Sequence, residues 1–149
     1  MNFLAHIYLS GNDEDILLGN FMGDFVKGHD HENYPEMVQK GILLHRKIDY
    51  FTDHHEVVSQ SKDLLREKFR HYSGVIVDMF YDHFLARYWQ RFHPDPLLAY
   101  SENTYEILLR RKDELPRKAA YMLSFMVENN WLVGYADVEG IHRALSGMA

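Results

Sequence analysis

Two segments of this chain read as central helices, and both carry charge where a core helix should be apolar. The first runs from about Pro35 to Asp53 and is apolar on nearly every side, through Met37, Val38, Ile42, Leu43, Leu44, Ile48 and Phe51. His45, Asp49 and Asp53 recur on it at i, i+4 and i+8, on the face that also carries Val38, Ile42 and Ile48. The second runs from Ser73 to about Phe92 and places Asp78 and Asp82 at i, i+4 on a face shared with Val75, Leu85 and Trp89. Burying an uncompensated carboxylate is costly, so each such acid has to be protonated, paired or bound to a cation. Neutralisation by Arg46, Lys47 or Arg87 is one answer for any single acid. Five groups on two central helices, one of them an imidazole, favour another: a metal site. Oxygen and imidazole donors without sulfur suit Mn, Fe, Mg or Zn.

The rest of the chain reads as a helical setting for that site. At 149 residues with 46% hydrophobic and 14% aromatic content, residues 1–149 are expected to form one folded domain. Residues 2–9 read as a short helix stopped by Ser10-Gly11-Asn12, and Asn12 or Asp13 can cap a second helix reaching about Phe25. Gly28 closes that helix, and Pro35 is well placed to open the next. Residues 56–71 are amphipathic and basic toward their end, His93-Pro94-Asp95-Pro96 breaks the second central helix, and further helices are expected near 97–112, 116–130 and 137–147. No segment alternates convincingly enough for a strand, so the expected class is all-α, a compact helical bundle. The absence of cysteine excludes disulfides and thiolate metal sites and fits a reducing cytoplasm. The N-terminus lacks a basic leader, no apolar run approaches the roughly 20 residues of a membrane span, and a net charge of −6 argues against nucleic acid or anionic membrane as partner.

Ten histidines are present, several of them in polar surroundings such as His29, His31, His54 and His55. His6 is different, because it lies among Phe3, Leu4, Ile7 and Leu9. Asp24 sits between Phe21 and Phe25 in a glycine-containing stretch that permits close helix contact, with Lys27 as an ordinary ion-pair alternative. His83 adjoins Asp82 but is turned about 100° around the helix, where it could be a ligand, a supporting group or an acid.

Four ordered blocks carry a family resemblance. Asn2-Phe3-Leu4-Ala5-His6, Gly19-Asn20-x-x-x-Asp24-Phe25-Val26-Lys27-Gly28, Gly41-Ile42-x-x-His45-Arg46-x-Ile48-Asp49-x-x-Thr52-Asp53 and Asp82-His83-Phe84-Leu85 resemble the acyl carrier protein phosphodiesterase family, as do Trp131-Leu132-Val133 and Gly147-Met148-Ala149. The resemblance implies a divergent relative of the HD-domain phosphohydrolases, which are helical metal enzymes. It also implies hydrolysis of holo-acyl carrier protein to the apo form and 4′-phosphopantetheine, usually with manganese. The chain departs from the usual HD pattern: it has no adjacent His-Asp pair, Asp82-His83 reverses that order, and family members usually continue beyond the point where this chain stops.

The expected metal ligands are therefore His6, Asp24, His45, Asp49 and Asp82, holding a divalent ion, Mn first and Mg, Fe or Zn as alternatives. His83 is the expected proton donor to the leaving serine oxygen, with Asp53 or Asp78 orienting a ligand histidine. Lys27, Arg46 and Lys47 are expected phosphate clamps. An acidic carrier protein docking on an acidic chain needs a local positive face, and the obvious clusters are Arg66, Lys68, Arg70 and Arg110, Arg111, Lys112, the latter with Arg117 and Lys118 nearby. Two rival readings share these features: an HD-type nucleotide phosphohydrolase, and a helical binding module that keeps the His/Asp set as a buried polar network. A carboxylate-bridged di-iron oxygenase is disfavoured, because its Glu-x-x-His pairs are absent.

Overall fold

Glycine at two facing positions lets two helices of this chain touch backbone to backbone. In the computed structural model, which describes residues 2–148, α2 (Glu14–Met22) and α3 (Glu36–His54) cross at Gly19 and Gly41. A Cβ on Gly19 would lie 2.1 Å from the Val38 carbonyl oxygen, and one on Gly41 would lie 2.4 Å from the Ile16 carbonyl oxygen. Asp13 rather than Asn12 starts α2, its side chain accepting from the N–H groups of Asp15 and Ile16 at 2.9 and 3.1 Å. The helix then ends at Met22, three residues short of the expected Phe25, and tightens into a 3-10 turn at Gly23–Phe25. That turn fixes the direction of Asp24. Ala149, the last residue of the Gly147-Met148-Ala149 block, lies outside the described residues.

The remaining helices surround this pair. α1 (Phe3–Leu9) packs on both α2 and α5 (Ser73–Arg87), and α4 (Glu56–Phe69) joins α3 to α5. α6 (Leu97–Arg110), α7 (Arg117–Glu128), α8 (Trp131–Gly134) and α9 (Val138–Met148) complete the bundle. No strand occurs among the described residues, as the periodicity predicts. One expected helix is divided and another is shortened: the Ser73–Phe92 segment leaves α-geometry at Tyr88, before a 3-10 turn at Trp89–Arg91, and the helix expected near 116–130 ends at Glu128, ahead of the separate α8. Left-handed Asn130 (φ 46°) makes that second break. The core runs from Leu4 and Ile7 through Leu18, Phe21 and Ile42 to Met79, Leu108, Leu123, Met126 and Leu132. No helix of the described residues is long and apolar enough to cross a membrane.

The start of α1 is held by a residue far along the chain. Asp82, fully buried on α5, accepts from the backbone N–H of Leu4 and of Ala5, both at 3.0 Å. Those two groups belong to the first turn of α1, where the helix itself offers no acceptor, and the helix dipole favours an acid there. α1 is thus fixed in position by an acid and not by apolar contact alone.

The α2–α3 crossing yields a stability prediction. Gly41→Ala should lower the unfolding free energy by about 1–3 kcal/mol or more in urea denaturation, since the added methyl meets the backbone of α2, which cannot give way as a side chain can. Gly74→Ala is the control: its Cβ would meet only the Lys62 side chain, 3.7 Å away, so a change within about 1 kcal/mol is expected.

Candidate metal centre

Two helices, α1 and α3, and the turn after α2 bring together a small group of nitrogen and oxygen donors. The Nε2 atom of His6 (α1) lies 2.9 Å from Asp49 Oδ1 (α3), and the Nε2 atom of His45 (α3) lies 3.2 Å from Asp49 Oδ2. Asp24, on the turn after α2, brings its Oδ1 to 3.0 Å from the same His45 nitrogen. One donor atom from each of His6, His45 and Asp49 falls within 4.8 Å of the others, the spacing of groups that can share one ion. The two imidazoles are stacked, centroids 3.8 Å apart and planes 11° apart. Both rings are buried, whereas the side chains of Asp24 and Asp49 are 35% and 43% exposed. The centre has an imidazole floor and a carboxylate rim open to solvent.

Each ring is held from behind. His6 Nδ1 lies 2.8 Å from the side-chain oxygen of Asn20, and His45 Nδ1 lies 2.7 Å from the main-chain oxygen of the same residue. Gly23 makes room for the second ring, since a Cβ there would come within 2.3 Å of His45 Cγ. The close α2–α3 crossing is therefore also what seats His45.

The electrostatics follow from this crowding. Burial opposes charge on His45, but hydrogen bonds to Asp24 and Asp49 outweigh it and raise its pKa to about 9. The bond from His45 holds Asp24 below the usual carboxylate range. Burial resists ionisation of Asp49, yet the bonds from His45 and His6 hold its carboxyl well below that range. Two ionised carboxylates around two imidazole nitrogens make a pocket that requires positive charge, supplied by protons or by a cation. The donor set therefore fits a divalent ion.

Of the sequence-predicted ligands, His6, Asp24, His45 and Asp49 come together, and Asp82 does not join them. Both of its oxygens are taken by the start of α1, and burial pushes its pKa up to about 7 against those two bonds. Asp53 does not orient a histidine; it pairs with Lys62 at 3.2 Å on the surface. Asp78 is half-buried on α5, and burial pushes its pKa up, with the charges of Asp53 and Asp49 acting the same way. His83 is buried, its Nδ1 2.6 Å from the Tyr135 carbonyl oxygen. Arg46 donates to the Val26 carbonyl at 3.2 Å, beside the turn that carries Asp24, and Lys27 is exposed on the same segment. Among the described residues, none of Arg46, Lys47 and Arg87 is ion-paired with Asp24 or Asp49, so simple salt bridging is not how these acids are satisfied.

Sequence reasoning missed Asn20 as a site residue. It is fully buried in the apolar stretch Leu17-Leu18-Gly19-Asn20-Phe21-Met22, and the test that singled out the acids, a polar group on a core face, would have found it.

An all-helical bundle with a His/Asp donor set is the class this fold and site define. The whole chain, residues 1–149, matches the family model described as acyl carrier protein phosphodiesterase. It is 35% identical, over an alignment of 150 residues, to proteins named acyl carrier protein phosphodiesterase from Escherichia coli O6:H1 and O45:K1, covering 100% of this chain and 78% of each of those. The chain belongs to the acyl carrier protein phosphodiesterase family. No solved structure matches it.

The coupling at His45 gives a pH prediction for metal-free protein. A folded-state pKa of about 9 against an ordinary 6.5 adds stability that is fully present below pH 6.5 and is lost as pH rises through 9. Urea unfolding in chelator should therefore lose up to a few kcal/mol between pH 6 and 10, and His45→Gln should flatten that slope.

Proposed function

We propose that this protein is a metal-dependent phosphodiesterase that hydrolyses holo-acyl carrier protein, releasing 4′-phosphopantetheine and leaving the apo form. The observation that carries the reading is the convergence of His6, His45 and Asp49, with Asp24 beside them, in a chain whose whole length matches the family. His6, His45, Asp49 and Asp24 would hold the ion, with manganese the proposed metal. A divalent ion bound there supplies Lewis acidity toward the phosphoryl oxygens and acidifies water.

The chain's own groups do the rest. The reaction adds water across the bond between phosphorus and the serine oxygen: the phosphopantetheine keeps the OH, and the serine oxygen takes a proton. The exposed edges of Asp24 and Asp49 leave the centre open on the side from which a phosphodiester on a protein surface must arrive. Arg46, tethered to the Val26 carbonyl, and exposed Lys27 are the proposed cationic contacts to the phosphate. His83 remains the proposed proton donor, and with Nδ1 engaged by the Tyr135 carbonyl its Nε2 is the atom able to carry that proton. Asp82 is reassigned from ligand to anchor, because it holds α1 and with it His6.

Of the two expected docking clusters, the one at the end of α4 is better suited to an acidic carrier protein. Arg110 is bound by Glu14 at 2.8 Å, and Arg111 by Asp15 at 2.7 Å and Glu114 at 2.8 Å, so the Arg110, Arg111, Lys112 cluster is largely neutralised by its own neighbours. Arg66 pairs with Asp63 at 2.8 Å, but among the described residues Lys68 and Arg70 are not ion-paired. They stand exposed beside the exposed rings of Phe69 and Tyr72.

The direct test is to incubate the protein with holo-acyl carrier protein and Mn²⁺ and to follow loss of the prosthetic arm by mass spectrometry. Asp49→Ala should reduce turnover at least 100-fold with an unchanged helical circular dichroism spectrum, the scale on which removing a functional group from a reaction centre usually tells. Full turnover in that variant removes Asp49 from the mechanism. Lys68→Ala with Arg70→Ala should raise KM several-fold at low salt and lose that effect near 1 M, where screening shortens to about 3 Å. A KM unchanged at low salt would place docking elsewhere.

A further inference from the structure

We propose that Asn20 is the positioning residue of this centre, fixing both histidines with hydrogen on Nδ1 so that both Nε2 lone pairs are directed at the ion. Hydrogen-bond bookkeeping carries the assignment. Ser10 donates its hydroxyl hydrogen to the His6 carbonyl at 2.7 Å, which leaves its oxygen free to accept. The Asn20 amide nitrogen donates one hydrogen to that Ser10 oxygen and the other to the His6 carbonyl, each at 2.9 Å. Both amide hydrogens are thereby committed, and Oδ1 must be the atom facing His6 Nδ1 at 2.8 Å. An amide oxygen only accepts, so His6 Nδ1 carries the hydrogen. The main-chain carbonyl of Asn20 faces His45 Nδ1 at 2.7 Å and likewise only accepts. One residue, through two different oxygens, sets the tautomer of two rings on two different helices.

The consequence is geometric. With the rings stacked 11° from parallel and both hydrogens behind, the two Nε2 atoms face the same side and meet the Asp24 and Asp49 oxygens there. A histidine free to place its hydrogen on Nε2 would direct a donor, not a lone pair, at the ion. Partners of this kind orient metal ligands and raise their affinity, and their loss costs roughly 10–100-fold. Asparagine is the residue that fits here: aspartate could accept from His6 but could donate to neither the His6 carbonyl nor Ser10.

The inference rests on the metal-hydrolase reading: with no ion bound, the Asp24 and Asp49 carboxylates accept hydrogen from each Nε2, so the tautomers are read with an ion in place. The experiment is long-range ¹⁵N NMR of the imidazoles in full-length protein loaded with diamagnetic Zn²⁺, together with Mn²⁺ titration followed by electron paramagnetic resonance. In the parent protein both rings should show hydrogen on Nδ1. In Asn20→Ala, His6 should lose that preference while His45 keeps it, because the main-chain carbonyl survives, and Mn²⁺ affinity should fall roughly 10–100-fold. Asn20→Asp retains the acceptor and should restore the His6 tautomer. Ser10→Ala, which touches neither ring, is the milder variant should Asn20→Ala fail to fold, and a several-fold loss of Mn²⁺ affinity is expected. An unchanged His6 tautomer in folded Asn20→Ala, or unchanged Mn²⁺ affinity in both Asn20→Ala and Ser10→Ala, overturns the role of Asn20. If the parent protein takes up neither Mn²⁺ nor Zn²⁺, the metal reading itself fails and the role of Asn20 with it; uptake by the parent with an unchanged His6 tautomer in Asn20→Ala overturns the role of Asn20 alone.

Discussion

Backbone contact between α2 and α3 is the constraint on which the centre depends. With Gly19 and Gly41 face to face, the two helices approach closely enough for a main-chain carbonyl of one to reach a side-chain nitrogen of the other. At ordinary helix separations, about 8–10 Å between axes, side chains fill that space. Here the space is absent, so Asn20 presents its carbonyl directly to His45, and Gly23 one turn later leaves the volume that the ring occupies. The packing and the chemistry are one arrangement: a bulkier residue at any of these three glycines would push α3, and His45 with it, away from Asp24.

The third helix of the centre is held by a different device. α1 is only seven residues long, too short to be stable alone, and it has to present His6 in a fixed place. Its apolar side, with Phe3, Leu4 and Ile7, is buried, which fixes its height over the core but does not by itself prevent sliding or rotation. Asp82 supplies a directional restraint by accepting two hydrogen bonds from the first turn. Asn20 supplies a second at the other end, by accepting from the His6 ring and donating to the His6 carbonyl. Two buried polar contacts thus give a short helix the precision that apolar packing alone does not.

This division of labour explains what the sequence could and could not convey. The helical class, the central α3 and the set His6, Asp24, His45, Asp49 were legible, because an acid or imidazole on an otherwise apolar helix face signals a satisfied buried charge. The pattern says that such a group has a partner but not what the partner is. Asp82 obeys the same pattern as Asp49, yet its partners are backbone N–H groups that no side-chain motif encodes. Asp53 continues the i, i+4 register of its helix, but α3 ends within a residue of it, and an exposed acid near a helix end is free to pair with Lys62. The basic runs read alike in sequence; only the fold brings Glu14 and Asp15 against one of them and not the other. Asn20 carries no charge, and its importance lies in hydrogen-bond direction, which spacing does not record.

The exposure gradient across the centre completes the chemical argument. Imidazoles buried below and carboxylates half-open above mean that the nitrogen donors are fixed while the oxygen donors retain some access to water. A purely structural polar network has no need of that asymmetry, since burying Asp24 and Asp49 fully against the two rings would strengthen every bond in it. A hydrolytic centre does need it. One face must stay open for the phosphodiester and the attacking water, while the groups that hold the ion stay rigid against the core. The openness of the rim is thus what favours a reacting site over a buried network, and it sits where the close α2–α3 crossing lets His45 reach Asp24 and Asp49 at the same time.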